Sequence, residues 1–209
     1  MRKLYSTLLI IFFSLNLVNA QNDPAAKKVI DAFGSKVKAS KGIIASFTLN
    51  SFTSKGRAAG SKALNISMQG EKYLLKQGKT EIICDGMNVY NYDGIKTITK
   101  SSVEEGSQTL SPQKLLAGSY DKDFTYKLLP STGAFNEIEM LPIDKRKNFV
   151  KVNLFFDKAK NTLLKARILD KSNNITELKV NSFNMSSSLN DNLFVFNKAK
   201  YPKDVEILD

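Results

Sequence analysis

Catalysis needs groups that move protons, hold metals or attack carbonyl carbons, and this chain offers few of them. Its 209 residues include no histidine and a single cysteine, Cys84. That excludes Ser–His and Cys–His nucleophilic pairs and nearly all zinc sites, whose ligand sets need histidine or several cysteines. Glu104-Glu105 and Glu137/Glu139 are the nearest approach to paired carboxylates. The first pair falls in a loop, and the second recurs at i, i+2 on a polar strand face, as solvated side chains do. Gly56, Gly60 and Gly70 have neither the spacing nor the following helix of a phosphate-cradling loop. No catalytic residue, metal site or cofactor is assigned. The chain reads as a binding protein and not as an enzyme.

Other residue types point to contact chemistry. Tyr73, Tyr90, Tyr92 and Tyr126 are either a stacking platform for sugars or bases, or half-buried aromatics of a sheet. Cys84 follows Ile82 and Ile83 and reads as a small core residue, not a reactive thiol. Lys and Arg number 31 against 20 Asp and Glu, a formal charge of +11. The lysines are dispersed, which suits solvated strand faces and general steering toward anionic membranes or partners. Nucleic acid is not expected as a partner.

The elements that position these residues begin after a leader. Arg2 and Lys3, the apolar run Leu8 to Leu17 and Val18-Asn19-Ala20 have the layout of a secretory signal peptide over residues 1–20. The expected mature chain, 21–209, is a single exported, soluble domain. No cysteine follows the cleavage site to carry a lipid anchor. Asp23-Pro24 is an N-cap followed by proline at the first helical position. From Ala25 to Ala39, the apolar stripe of Val29, Ile30, Phe33 and Val37 predicts an amphipathic helix.

Strands dominate the rest. Ile43 to Asn50 alternates; Ser51 to Ser61 reads as a polar loop; Leu64, Ile66 and Met68 alternate again. Asp85-Gly86 and Asp93-Gly94 are tight-turn dipeptides that frame a central hairpin. Ser111-Pro112 opens a short helix at Gln113 to Ala117, stopped by Gly118. Further strands follow at 124–129, 135–141, 149–156, 163–169 and 175–183, with Val150, Val152, Leu154 and Phe156 expected on one face. The tail around Leu193 to Phe196 and Tyr201-Pro202 is expected to pack across the structure. About eleven strands and two helices make a mainly β (α+β) antiparallel fold, and a sheet of that size curls or closes. Its concave face encloses either a solid core or a hydrophobic cavity; periodicity alone does not separate the two.

The order of these segments resembles the periplasmic outer-membrane lipoprotein carrier family, LolA, in a form similar to Bacteroidetes-like members. The likeness rests on the strand Ala45 to Phe52, the turn and aromatics of Cys84 to Tyr92, Ser111 to Leu116, and Phe194 to Phe196 with Tyr201 to Ile207. The resemblance implies an unclosed eleven-strand antiparallel β-barrel with a helical lid over a hydrophobic cavity. It implies a monomeric periplasmic carrier that needs no cofactor and takes acylated lipoproteins from an inner-membrane ABC transporter, with an outer-membrane acceptor as a further partner. Better-known members carry an arginine–proline latch where this chain has Gln69 and Gly70, with Tyr73 in place of a pocket phenylalanine, so a looser lid is expected.

Taking alternate apolar residues as inward, the cavity is lined by Phe47, Leu49, Leu64, Ile66, Met68, Tyr73, Val89, Val152, Leu154 and Phe156, and a register slip of one exchanges several of them. The lid and its latch comprise Val29, Ile30, Phe33, Val37 and Gln69. Two other readings are a binder of a free lipid or other hydrophobic ligand, and a structural or interaction module with a filled core. An outer-membrane barrel is disfavoured, because several strands fall short of the ~9–11 residues a span requires.

Overall fold

The computed structural model describes residues 22–103, 110, 112–118, 120–185 and 188–209. The expected leader, Glu104-Glu105 and Ser111 lie outside the described residues. Helix α1 spans Pro24–Ala39 and α2 spans Pro112–Leu116. The strands are β1 Ile43–Phe52, β2 Ala58–Gln69, β3 Lys72–Gln77, β4 Thr80–Cys84, β5 Asn88–Tyr92 and β6 Thr97–Ser102. They continue with β7 Phe124–Leu129, β8 Phe135–Pro142, β9 Phe149–Asp157, β10 Leu163–Asp170, β11 Ile175–Asn184 and β12 Glu206–Leu208. All belong to one sheet in the order β12-β6-β5-β4-β3-β2-β1-β11-β10-β9-β8-β7. It is unclosed, and antiparallel except where β12 runs parallel to β6.

Sequence periodicity gives eleven strands; the twelfth is this three-residue parallel addition. Two further expectations are corrected. The loop read at 51–61 shrinks to 53–57, because β1 and β2 continue as an arm whose β2 residues are solvated on both faces and so do not alternate. Val150 does not point inward: pairing jumps from Leu169–Lys151 to Asp170–Phe149, leaving Val150 as an extra, bulged residue.

Helix α1 forms where it does because Asp23 caps it, accepting from Ala25 N at 2.8 Å, with proline next. Its stripe then needs an apolar surface, and the concave sheet face supplies one. Ile30 and Phe33 are fully buried there, with Phe33 5.3 Å from Phe156 and 6.1 Å from Phe183, ring centre to ring centre. Leu115 and Leu116 of α2 join the same core.

The residues before α1 also protect a sheet edge. Asp23 N donates to Tyr126 O (3.1 Å), Tyr126 N donates to Asn22 Oδ1 (2.9 Å), and Leu128 N donates to Asp23 Oδ2 (2.8 Å). Strand β7 would otherwise present Tyr126 N, Tyr126 O and Leu128 N unpaired. Lys27 then bridges Asp121 at 3.0 Å and Asp31 at 3.1 Å, and the Tyr126 hydroxyl donates to Asp121. Helix α1 and the chain just past α2 meet backbone to backbone: a Cβ on Gly34 would lie 2.5 Å from Gly118 O, and Gly118 holds φ +63°.

The tail covers the opposite, convex face of β3–β6. Phe196 stacks on Tyr90 at 4.3 Å, Tyr201 meets Tyr92 edge-on at 4.9 Å, and the Tyr201 hydroxyl donates to Glu81 at 2.6 Å. Phe194 and Val205 are buried, and Lys72 pairs with Asp191. Among the described residues no helix is long and apolar enough to cross a membrane.

Two tests follow from this packing. Gly118→Ala adds a Cβ at a left-handed position and against Gly34, so urea unfolding should show a loss of roughly 2–4 kcal/mol; an unchanged midpoint would mean that α1 and the chain past α2 do not touch here. The second test concerns pH. The Tyr126 hydroxyl and Lys27 hold the Asp121 carboxyl below its ordinary value, and the Leu128 and Ala25 amides do the same for Asp23. A depressed carboxyl stabilises the fold above the unfolded value of about 3.9 and ceases to do so as pH falls through the folded one. Melting temperature should therefore drop below about pH 4, and Asp121→Asn should start lower at neutral pH and lose less on acidification.

Candidate functional site: a trough on the concave face

The helices fill only part of the concave face. Strand alternation places Tyr73 and Leu75 of β3, Ile82 and Cys84 of β4, Val89 and Asn91 of β5, and Thr99 and Ser101 of β6 on it. The register aligns them in two rows, Tyr73–Cys84–Val89–Ser101 and Leu75–Ile82–Asn91–Thr99. This register is set by the turns. Asp85 Oδ1 accepts from Met87 N and Asn88 N, each at 2.8 Å, with Gly86 at φ +100° completing the turn. Asp93 repeats the arrangement with Ile95 N, Lys96 N and Thr97 N.

Over these rows lies an open space of about 340 Å³, bounded also by Glu71, Val103, Gln113 and Lys114. A second space of about 490 Å³ runs between the end of α1 (Val37, Lys38), Ser40, Ile43, the β2–β3 turn (Met68, Gly70, Glu71) and α2 (Gln113, Ala117). Glu71 and Gln113 border both, so the two spaces adjoin along one trough. Each is the size of an ordinary small-molecule site.

The wall is apolar on its β3–β4 side and polar toward β6. Burial pushes the Tyr73 phenol up to about 12, with Cys84 beside it contributing. Burial likewise raises the Cys84 thiol, whose Sγ lies 3.5 Å from Glu71 O as a weak donor. Both stay protonated at neutral pH, so neither supplies a charged nucleophile. Burial, with Lys147 nearby, lowers the Lys114 ammonium. Among the described residues no group of three or more His, Cys, Asp or Glu is placed to hold a metal ion.

The sequence-derived lining residues divide between core and trough. Phe47, Leu64, Ile66, Val152, Leu154 and Phe156 are buried in the core beneath the helices, and Leu49 packs against it. Met68 belongs to that core and also borders the larger space, while Tyr73 and Val89 line the smaller one. Of the lid residues, Ile30 and Phe33 are buried, and Val29 and Val37 pack partly buried on the core. Gln69 lies apart from them. It follows inward-facing Met68, pairs with Lys72, and its Oε1 is buried with no hydrogen-bond partner among the described residues, so it does not bond the helix. Nor do the four tyrosines make one platform: Tyr90 and Tyr92 lie under the tail, Tyr126 holds Asp121 and Tyr73 lines the trough.

Ile82, Cys84, Asn91, Thr99, Ser101 and Gln113 were not anticipated as lining residues. A signal for the first five existed: the Asp85-Gly86 turn sets Cys84 opposite Val89, and period-2 alternation carries the same face to β6. Three of them are polar, so a search for apolar alternation passes over them.

Solved structures share this fold. A candidate outer membrane lipoprotein-sorting protein domain from Vibrio parahaemolyticus superposes with TM-score 0.50 at 13% identity, covering 80% of this chain and 95% of its own. An uncharacterized conserved protein from Thermus thermophilus gives 0.57 at 13% identity, covering 88% and 98%. A DUF1329 family protein from Desulfovibrio piger gives 0.50 at 11% identity, covering 83% and 98%. No curated protein matches the chain. The model of the outer membrane lipoprotein carrier protein LolA family matches residues 75–197, from β3 through the tail segment that covers it. The chain belongs to the LolA family.

Proposed function

We propose that this protein is a periplasmic carrier that holds the acyl chains of lipoproteins in the trough and ferries them from the inner to the outer membrane. The observation that carries this reading is the trough between Val37, Met68, Tyr73 and Val89, beside the C-terminal end of α1. An inner-membrane ABC transporter supplies the cargo and an outer-membrane acceptor receives it. A buried methylene is worth ~0.8 kcal/mol, so an acyl chain of about fifteen carbons leaves a membrane at a cost of roughly 12 kcal/mol. Contact with the trough offsets most of that cost and leaves the cargo releasable.

The trough grows by movement of the helices, and α1 is tied unevenly. Its first turns are held to β7 and to Asp121, whereas its last turn, Lys36 to Ala39, borders the larger space and is tied to the sheet's turns by a bond from Lys36 Nζ to Lys160 O. Amides from Val29 to Phe33 should exchange hydrogen more slowly than those from Lys36 to Ala39. Uniform protection as strong as that of β1 would argue against a movable end and against a looser lid.

A second reading, a free amphipathic lipid as ligand, is favoured by one observation. Asn91, Thr99 and Ser101 line the trough and make no side-chain hydrogen bond to a described residue. The test is intact-mass spectrometry of the chain from Gln21, recovered from spheroplasts that release lipoproteins. Triacylated lipoprotein bound one to one, and lost in Val89→Arg, supports the carrier. Free lipid alone supports the second reading, and no hydrophobic cargo overturns both.

A further inference from the structure

Outside the trough, the convex face of β8–β10 combines three features that its packing does not require. The first is the bulge at Val150. Phe149 stays in the core while Val150 turns outward next to Lys151, 40% exposed. A plain strand would have placed Val150 inside, with Val152. Leu141 on β8 is 40% exposed, and Ile143, where the chain leaves β8, is 52% exposed. Three aliphatic side chains thus stand in water around one end of the β8–β9 pair.

The second feature is a basic turn joining those strands, Lys145-Arg146-Lys147. The turn is held in shape. Lys145 Nζ donates to Pro142 O at 2.9 Å, Lys171 Nζ donates to Lys145 O at 3.0 Å, and Asp144 pairs with Arg146 through two bonds of 3.0 Å.

The third is a dent of about 240 Å³ beside the bulge, lined by Lys151, Asn153, Arg167, Leu169 and Ile175. The acids of this face all have partners, and none of them is Arg167. Glu139 pairs with Lys127 and Lys151, Glu177 pairs with Lys165, and Glu137 accepts from Asn153. Arg167 makes no hydrogen bond or ion pair with any described residue, although Glu177 lies opposite it in register.

Exposed aliphatic tips ringed by cations match the boundary of an anionic bilayer, where phosphates meet the cations and apolar groups enter below them. We propose that this face is where the protein rests on an anionic phospholipid bilayer. Arg167 takes a lipid phosphate in the dent, and Leu141, Ile143 and Val150 enter the headgroup boundary. The contact is separate from the trough and does not depend on what the trough carries.

The test is sedimentation of the chain from Gln21, which carries every described element, with two kinds of vesicle. One is phosphatidylcholine alone; the other contains about one-third phosphatidylglycerol. The protein should sediment with the anionic vesicles and far less with the neutral ones, and added salt should weaken the association. Arg167→Gln should reduce partitioning roughly fivefold. Ile143→Ser with Val150→Ser should reduce it roughly tenfold, at a melting temperature close to that of the parent. Val89→Arg, in the trough, should leave it unchanged. Equal partitioning to both vesicles, indifference to the convex-face variants, or loss in Val89→Arg overturns the proposal. So does failure to sediment with either vesicle, which would leave the face to an acidic protein segment.

Discussion

The concave face of a single sheet sets the terms for everything else in this molecule. The sheet has one inner surface, which must be covered or filled, and the two helices are too short to cover it entirely. Phe33 marks where cover is complete, wedged against Phe156 and Phe183. Toward β3–β6 neither described helix lies across the surface, and Gln113 and Lys114 of α2 only border the strip that becomes the trough. The tail stabilises that half from behind, with Phe194, Phe196 and Tyr201 on the convex side. Strands β3–β6 are thereby kept in place from the side away from the trough.

Much of the fold was legible in the sequence because period-2 alternation, turn dipeptides and helix caps are local signals. The strand at 124–129, the Asp85-Gly86 turn and the cap at Asp23-Pro24 are all local in this sense. Where legibility failed, the determinant was not local. Residues 58–63 alternate with nothing because both their faces are solvated. Val150 looked like a member of an inward row, since a bulge is visible only in the pairing with β10. Strand β12 consists of three residues that become a strand only through β6.

The candidate site was legible by face and not by place. Alternation put Phe47, Leu64 and Phe156 on the inner surface, where they are, but could not say that α1 would lie over them. Met68, Tyr73 and Val89 differ from them only in lying beyond the reach of the helix. Gln69 shows the sharpness of the period: one residue after Met68, it belongs to the other side of the sheet and cannot latch anything on the inner one.

The pairing of β1 with β11 has a consequence for how such a chain comes to be folded. It joins residues 44–52 to 175–184, whereas every other antiparallel pair unites strands adjacent in sequence. The chain therefore consists of two meanders, β1–β6 and β7–β11, each closed by short turns and each carrying half of the inner surface. Local hairpins form readily, but a seam between distant segments must first overcome the entropy of closing a long loop. In a chain delivered from its N-terminus, β1 has only β2 as a partner until β11, one of the last elements, arrives. Until then α1 has half a surface to lie on, and the apolar rows stand open to any neighbouring chain.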